Sequence, residues 1–507
     1  MKASGPRPIP AGRQAPVAEV DSDTRRNVVV FYLNFVVLAV VGLVVNPLLL
    51  GALGPVMFGI WKSLQRYLDF ATVADGRASQ ALKWIVASRA ALGDEERRRD
   101  IGAAITVWLR WLAATVTVSI GVTAALPFLI KGIPSHVMTM VYWAAALLAL
   151  NTVLAGFLSI PDAVLAGINQ GYKSMLVTTF VFVISNGALL AAAVSDWPLW
   201  SLAVIVLLAG VANAALTLLV AKRSVTWWGV SRPTASDLRR VFGYSAWTLG
   251  SVVVDKLLLA SELIVISVAV GAVTVAQYTF TTYVTQFVLA LALVTASGFT
   301  PILGSLLGAS EFAAAAERAR SARHLVIGVT VLGSAAVLAF NGVFVTVWAG
   351  ADQYLGTTVN ALLAVCGMQQ ALIRMDGQVL DVTMRIGPKV VIGLISSIGG
   401  IIAGIIGYSL THDLRASLIA VILLRLIGNI AYPALVARSI PGSSVPVRTL
   451  VLACILLGGS LAIGAAAQGG GATSLTGFAV LWAVLAVGTA WCGLLPRSTV
   501  RALLAHK

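Results

Sequence analysis

The chain has 507 residues, of which 59% are hydrophobic and only 11% are charged. Soluble domains are about half apolar and about a quarter charged, so this composition excludes a soluble globular protein and predicts an all-α polytopic membrane protein. The formal net charge of +15 would suggest nucleic-acid binding in a soluble protein. Membrane proteins carry excess Lys and Arg in their cytoplasmic loops, so we expect no nucleic-acid partner.

The three cysteines each lie within an apolar segment, and the four histidines are scattered singly along the chain. These residues provide neither a disulfide framework nor the paired spacing of a metal site. We therefore expect no metal and no cofactor.

The chain begins with a polar segment, residues 1–27, that is rich in Pro and Gly and is predicted to be a disordered cytoplasmic tail. The first apolar run is too long for the apolar region of a signal peptide. A membrane span needs about 20 apolar residues, and the chain contains about 14 such segments. The predicted spans are 28–52, 56–76, 103–130, 138–165, 174–194, 199–221, 243–270, 274–306, 325–349, 357–384, 389–409, 414–437, 449–468 and 475–494.

The basic residues predict the orientation of these spans. If the N-terminus is inside, 27 of the 35 Lys and Arg lie in inside segments, two lie outside, and six lie within spans. Because cytoplasmic loops carry the excess of basic residues, both termini are predicted to be cytoplasmic.

The two halves of the chain resemble a repeat. Shifted by 217 residues, the segment joining spans one and two matches the segment joining spans seven and eight, so that Gly54 aligns with Gly271 and Phe70 with Phe287. Two six-helix lobes around a shared cavity form a common transporter plan. The predicted organisation is an N-lobe (28–221), a C-lobe (243–437), two accessory helices (449–494) and a cytoplasmic tail (495–507).

Ionisable residues within spans are costly and usually face the bundle interior or a water-filled cavity. They fall on shared faces of spans two, seven and ten, where they either pair with one another to hold the bundle together or line a hydrated cavity. Cations suit a phosphate or diphosphate, and amides and hydroxyls suit a sugar. The candidate substrate-contact residues are Lys62, Arg66, Arg110, Lys256, Arg374, Arg425, Tyr278, Gln370 and Gln378. The candidate carboxylates for proton or sodium coupling are Asp69, Asp255, Glu262 and Asp381.

One segment near the start contains a Leu-Gly turn, a Phe-Gly pair with a following aromatic, and an acidic-Gly pair. These residues are Leu53-Gly54, Phe58-Gly59, Trp61 and Asp75-Gly76. The pattern resembles the opening of Wzx-type polysaccharide repeat-unit flippases, which belong to the multidrug/oligosaccharidyl-lipid/polysaccharide (MOP) exporter superfamily. The layout of most of residues 25–440 is similar to that family as well.

The resemblance implies a twelve-helix core with two extra helices in the bacterial inner membrane. The implied activity is the transfer of an undecaprenyl-diphosphate-linked oligosaccharide from the cytoplasmic to the outer leaflet, for surface polysaccharide synthesis. The implied mechanism is rocking between inward- and outward-open states, with proton or sodium coupling left open. The implied partners are the lipid-linked oligosaccharide, membrane lipids, and a polysaccharide polymerase with its chain-length machinery.

Three other functions compete with this one. A lipid II flippase would use similar cavity arginines, so the sequence separates it poorly. A multidrug or cation antiporter should carry an acid in its first span, and span 28–52 has none. A membrane glycosyltransferase or polymerase needs a sizeable folded loop, which the short outside loops do not supply. The sequence therefore favours a transporter over an enzyme.

Overall fold

A computed structural model of the chain describes residues 17–89, 93–383, 386–444, 446–467 and 472–495. These residues form helices and connecting turns and contain no β-strand, which confirms the all-α class. The helices in this part of the chain are α1 (Val17–Ala71), α2 (Ala78–Ser88), α3 (Asp94–Ala124), α4 (Leu126–Leu129), α5 (Met138–Leu158), α6 (Ile160–Gly167), α7 (Gly171–Val194), α8 (Leu199–Ser224), α9 (Ala235–Val265), α10 (Ala272–Thr281), α11 (Tyr283–Gly308), α12 (Phe312–Ala349), α13 (Thr357–Val382), α14 (Ile386–Thr411), α15 (Leu414–Ser439), α16 (Val447–Ala467) and α17 (Ala472–Thr489).

Within the described residues, eleven helical segments are long and apolar enough to cross a membrane. They correspond to twelve predicted spans, because the first segment, Val29–Asp75, contains two of them. The other two predicted spans correspond to α9 and α13. Both helices carry several of the in-span charges that we singled out as candidate site residues, which lowers their apolar character. A polytopic membrane protein is thereby confirmed.

Helix α1 starts earlier than the predicted first span. It begins at Val17, so residues 17–27 are helical, whereas residues 1–16 of the predicted tail lie outside the described part. The side chain of Asn27 donates to the carbonyl of Asn169 at 2.8 Å and accepts from the amide of Tyr172 at 2.6 Å. These hydrogen bonds join α1 to the turn between α6 and α7 and to the first turn of α7.

Gly54 interrupts α1 between the first two predicted spans, with φ 73° and ψ 165°. Its repeat partner Gly271, between α9 and α10, has φ 139°. Only glycine adopts such angles without steric strain. The two glycines aligned by the sequence repeat therefore break the helix at equivalent places.

The chain forms two compact units. Unit 1 comprises residues 1–54, 64–126 and 134–249, and unit 2 comprises residues 55–63, 127–133 and 250–507. Unit 2 thus includes two short segments of the predicted N-lobe.

Helix α9 begins in unit 1 with a capping box. The amide of Thr234 donates to Oδ2 of Asp237 at 3.0 Å, and the amide of Asp237 donates to the hydroxyl of Thr234 at 3.3 Å. This reciprocal arrangement satisfies amides that have no partner inside the helix. Burial alone would raise the pKa of Asp237, but the hydrogen bonds from Thr234 hold that pKa below its usual range.

Candidate functional site

Arg425 on α15 and Glu262 on α9 form a buried ion pair inside unit 2, which we call the buried pair. Nη1 of Arg425 lies 2.6 Å from Oε1 of Glu262, and the two side chains are 0% and 2% exposed. Arg425 also donates to the carbonyl of Leu258 at 3.0 Å and to the hydroxyl of Ser261. Gln370 on α13 donates to both carboxylate oxygens of Glu262 at 3.0 Å. Three predicted site residues therefore bind one another and connect α9, α13 and α15.

A second ion pair joins α13 to α14. Nζ of Lys389 lies 2.9 Å and 2.8 Å from the two carboxylate oxygens of Asp381. Ser251 on α9 donates to the same carboxylate at 3.3 Å, and the hydroxyl of Tyr432 on α15 donates to the backbone carbonyl of Lys389 at 2.7 Å. The predicted coupling residue Asp381 therefore already has a resident cation.

A third ion pair, which we call the loose pair, consists of Arg374 on α13 and Asp255 on α9. Nη2 of Arg374 lies 3.6 Å from Oδ2 of Asp255, which is too far for a good hydrogen bond. The side chains are 21% and 30% exposed. Both groups of the loose pair are therefore partly accessible, whereas the groups of the buried pair are not.

Three other predicted residues of the second half also lie in unit 2. Tyr278 on α10 is buried, with 4% of its surface exposed. Gln378 on α13 donates to the hydroxyl of Ser297 on α11 at 3.3 Å. Lys256 on α9 is half-buried. Among the described residues, no group of three or more His, Cys, Asp and Glu side chains is placed to hold a metal ion.

The predicted residues on α1 and α3 are distributed between the two units. Lys62, in unit 2, is half-buried, with Nζ 5.2 Å from the centre of the Phe58 ring. In unit 1, Asp69 and Arg110 are exposed and Arg66 is half-buried. Neither Arg66 nor Arg110 forms an ion pair with any residue that the structure describes.

Two cations at the edges of predicted spans, Arg323 just before span 325–349 and Lys389 at the start of span 389–409, belong to helix interfaces. Lys389 is buried in α14, and Nη2 of Arg323 on α12 lies 3.1 Å from Oδ2 of the buried Asp376 on α13. The sequence contains a signal that Arg323 is helical. The alanine-rich run that precedes it has high helix propensity and extends α12 into the segment that was predicted to be a loop. Lys389 is followed directly by an apolar run, which places it at the start of a helix.

No protein-family model matches the chain, and no curated relative matches it. Several solved structures, in contrast, are similar to the chain. The lipid II flippase MurJ, in an inward closed conformation, aligns over 91% of this chain and 98% of its own, with a TM-score of 0.65 and 12% identity. An inward-facing multidrug resistance MATE family transporter of the MOP superfamily aligns over 80% of this chain and 96% of its own, with a TM-score of 0.60 and 15% identity. The chain has the fold of MOP superfamily transporters.

A third structure agrees with this fold. It is a MOP superfamily transporter from Pyrococcus furiosus, for which the reverse polarity of its binding pocket suggests a different function. It aligns over 83% of this chain and 96% of its own, with a TM-score of 0.55 and 15% identity. The superfamily-level fold expected from the sequence resemblance is thus confirmed.

The motif that carries the resemblance has a structural role in this fold. A Cβ atom added at Gly59 would lie 1.8 Å from the backbone carbonyl oxygen of Ala272, within unit 2. The preceding residue, Phe58, stacks on Phe280 with ring centres 5.4 Å apart. The Phe-Gly pair therefore lets α1 approach the start of α10 closely.

Proposed function

We propose that this protein is a flippase that moves an undecaprenyl-diphosphate-linked oligosaccharide across the bacterial inner membrane for surface polysaccharide synthesis. The Wzx-type motif near the start of the chain supports this substrate class, and the MOP superfamily fold supports transport rather than an enzymatic reaction. The proposal covers the predicted location in the inner membrane with both termini in the cytoplasm.

The observation that carries the proposal is the contrast between the loose pair and the buried pair. A guanidinium binds phosphate oxygens through two parallel hydrogen bonds, but only if it can leave its resident carboxylate. Arg374 is partly exposed and lies 3.6 Å from its partner, whereas Arg425 is fully buried and holds Glu262 at 2.6 Å. We therefore assign diphosphate contact to Arg374 and a structural role to Arg425.

Unit 1 contains arginines that can bind an anion without first leaving a carboxylate. Arg66 and Arg110 form no ion pair among the described residues, and both are at least partly exposed. A cation within a membrane span is costly when it has no partner. An anionic substrate group would lower that cost, which makes Arg66 the first candidate of unit 1.

Proton or sodium coupling remains a prediction. In unit 2, Asp255, Glu262 and Asp381 each have a resident cation partner. Such a carboxylate must part from that cation before it takes up a proton or a sodium ion. The loose pair is the one that separates at the lowest cost, so Asp255 is our candidate for coupling within this unit.

The test uses a deletion strain that carries plasmid copies of the gene. We would extract lipid-linked oligosaccharides, determine which leaflet holds them, and measure surface polysaccharide. Deletion should trap repeat units on the cytoplasmic leaflet and abolish surface polymer. Arg374→Ala and Arg66→Ala should lower export by about tenfold or more at normal protein abundance, since a charged hydrogen bond is worth about 1.5–3 kcal/mol.

The matched control is Arg318→Ala. Arg318 is an exposed arginine near the start of α12, outside the predicted spans, and its loss should leave export unchanged. Normal surface polymer in both Arg66→Ala and Arg374→Ala would contradict the assignment of diphosphate contact. Unaltered lipid-linked oligosaccharide in the deletion strain would overturn the proposed function itself.

A lipid II flippase is the second candidate, because the likeness to MurJ covers 91% of this chain and 98% of that one. Both substrates place a diphosphate on a polyprenyl chain, so the same arginines would serve either. Loss of the protein should have different consequences under the two functions. Loss of a sole lipid II flippase should stop peptidoglycan synthesis and be lethal, whereas loss of an oligosaccharide flippase should remove the surface polymer from viable cells.

A further inference from the structure

Helix α2 follows the second predicted span after a sharp reversal of the chain. Gly76 and Arg77 both adopt left-handed backbone angles, with φ 68° and 50°. A Cβ atom added at Gly76 would lie 2.3 Å from the ring of Trp111 on α3. The turn is therefore packed directly against α3, and α2 starts beside a residue that lies within the third predicted span.

The buried face of α2 belongs to the core of unit 1. Its inward residues, Ala78, Ala81, Leu82, Ile85 and Val86, are each at most 4% exposed. They pack in one apolar cluster with residues of α3, α6 and the segment that precedes α9. Because these side chains are buried in the core of unit 1, α2 has a fixed position and is not a free loop.

The two ends of α2 fix its depth relative to α3. Just before α2, the hydroxyl of Thr115 donates to the carbonyl of Ala74 at 2.8 Å. Just after it, Nη1 of Arg89 lies 2.6 Å from Oδ1 of Asp100. Helix α2 therefore runs antiparallel to the part of α3 between Asp100 and Thr115, which is roughly 22 Å long at 1.5 Å per residue. The third predicted span begins at residue 103, so on that prediction the middle of α2 lies within about 5 Å of the boundary between lipid tails and headgroups.

The outward face at this depth presents Lys83 and Trp84. Trp84 is 61% exposed, although tryptophan is a large apolar side chain. Lys83 is exposed as well and forms no ion pair with any residue that the structure describes. Tryptophan is enriched at membrane interfaces because its ring is apolar while its N–H is polar. Lysine contributes a charge that reaches the headgroups.

The charge around α2 favours an anionic surface. Segments 77–100 and 222–242 contain 11 basic and five acidic residues. Two buried acids of this end of unit 1 are already neutralised within it, since Arg240 lies 3.3 Å from Asp100 and 3.4 Å from Asp237. The remaining positive charge, which includes Lys83, is available to a negatively charged partner.

We propose that the exposed face of α2, formed by Lys83 and Trp84, is a binding site for an anionic phospholipid of the adjoining leaflet. The indole inserts at the level of the glycerol backbone, and the ammonium pairs with the lipid phosphate. This site binds bulk membrane lipid and does not depend on which substrate the protein carries. On the predicted orientation, the leaflet is the cytoplasmic one.

The experiment measures tryptophan fluorescence of the full chain in nanodiscs. Discs contain brominated phosphatidylglycerol or brominated phosphatidylcholine, each titrated over the same range of mole fractions, because bromine quenches indoles that it touches. The chain has 13 tryptophans, so the signal of Trp84 is the difference between the wild type and Trp84→Phe. This signal should be quenched by both lipids, and half-quenching should need about fivefold less phosphatidylglycerol, the factor expected of one basic side chain at an anionic surface.

Two further variants test the contribution of Lys83 and whether the lipid preference is specific to the site of Trp84. Lys83→Gln should keep the quenching of Trp84 but remove the preference for phosphatidylglycerol. Trp197, between α7 and α8, is 57% exposed, and the signal lost in Trp197→Phe should show no such preference. A Trp84 signal that neither lipid quenches would overturn the site. Equal quenching by both lipids in the wild type would overturn the selectivity for anionic lipid.

Discussion

Lys389 and Asp381 form an ion pair whose two ends differ in their access to solvent. Nζ of Lys389 lies 2.8 Å from Oδ2 of Asp381, yet the lysine side chain is 3% exposed and the aspartate side chain is 42% exposed. A charge that loses its partner is tolerated where water can solvate it and is costly where it cannot. The two ends of this pair should therefore respond differently to mutation.

We expect Asp381→Asn to destabilise the protein more than Lys389→Met. The first change leaves a buried ammonium without a counter-ion, at a cost of about 3–5 kcal/mol. The second leaves a carboxylate that water reaches, and the loss of such a pair costs about 0–1 kcal/mol. Thermal unfolding of the two purified variants in one detergent would check this order. Equal losses would mean that the ammonium is not held by Asp381 alone.

The buried pair should behave as a structural unit. Arg425→Ala leaves the carboxylate of Glu262 buried, so we expect a loss of about 3–5 kcal/mol and reduced protein in the membrane. Changing both residues in Arg425→Gln with Glu262→Gln removes both charges together and should restore much of that stability. A double-mutant cycle on thermal unfolding, made of Arg425→Gln, Glu262→Gln and their combination, measures the coupling. Wild-type stability of Arg425→Ala would contradict the structural role that we assign to it.

The sequence predicts the number, order and approximate limits of most membrane helices, because a span must be apolar along its length. It also places Arg374, Asp255 and Glu262 on polar helix faces, because helical spacing decides which residues share a face. It does not predict which residue pairs with which. The contact of Arg425 with Glu262 joins residues 163 positions apart, and no local pattern encodes that distance.

The loops were harder to predict than the spans. Helix α2 lies within the segment 77–100, which we assigned to an inside loop because its basic residues dominate the composition. Its eleven residues are too few to form a stable helix alone, so packing against α3 and α6 decides its structure. The ion pair of Lys389 was not predicted for a related reason, since the carboxylate that neutralises it lies on a different helix.

Removing the carboxylate of the loose pair should strengthen the binding of an anionic lipid. Asp255→Asn leaves Arg374 without a competing counter-ion. A partly exposed pair contributes about 0.2–1 kcal/mol, so the dissociation constant for undecaprenyl diphosphate should fall by up to about fivefold. Equilibrium binding to the purified protein measures this. Asp352→Asn is the control, because Asp352 is an exposed acid of the same unit outside these ion pairs, and it should leave the dissociation constant unchanged.

Weaker binding in Asp255→Asn would reject the competition between Asp255 and the lipid for Arg374. It would mean instead that Asp255 orients the guanidinium for its ligand. The two outcomes have opposite signs, so the measurement decides between competition and orientation even if the change is small.

The Phe-Gly pair of the Wzx-like motif gives a prediction about packing. In Gly59→Ala, the new Cβ atom would lie 1.8 Å from the carbonyl oxygen of Ala272. That backbone atom cannot rotate away, so α1 and α10 must separate. Overpacking of this kind costs about 1–3 kcal/mol, and we expect a lower midpoint of thermal unfolding.

Gly51 supplies the matched control, since it also belongs to α1, just before the break at Gly54, and has no atom within 4 Å of an added Cβ. There, alanine should be neutral or stabilising by about 0.5–1 kcal/mol, because it loses less conformational freedom on folding than glycine. The two changes add the same methyl group to α1, so opposite effects isolate the contact with Ala272. If Gly59→Ala unfolds at the wild-type temperature, α1 and α10 do not approach each other as closely as the structure places them.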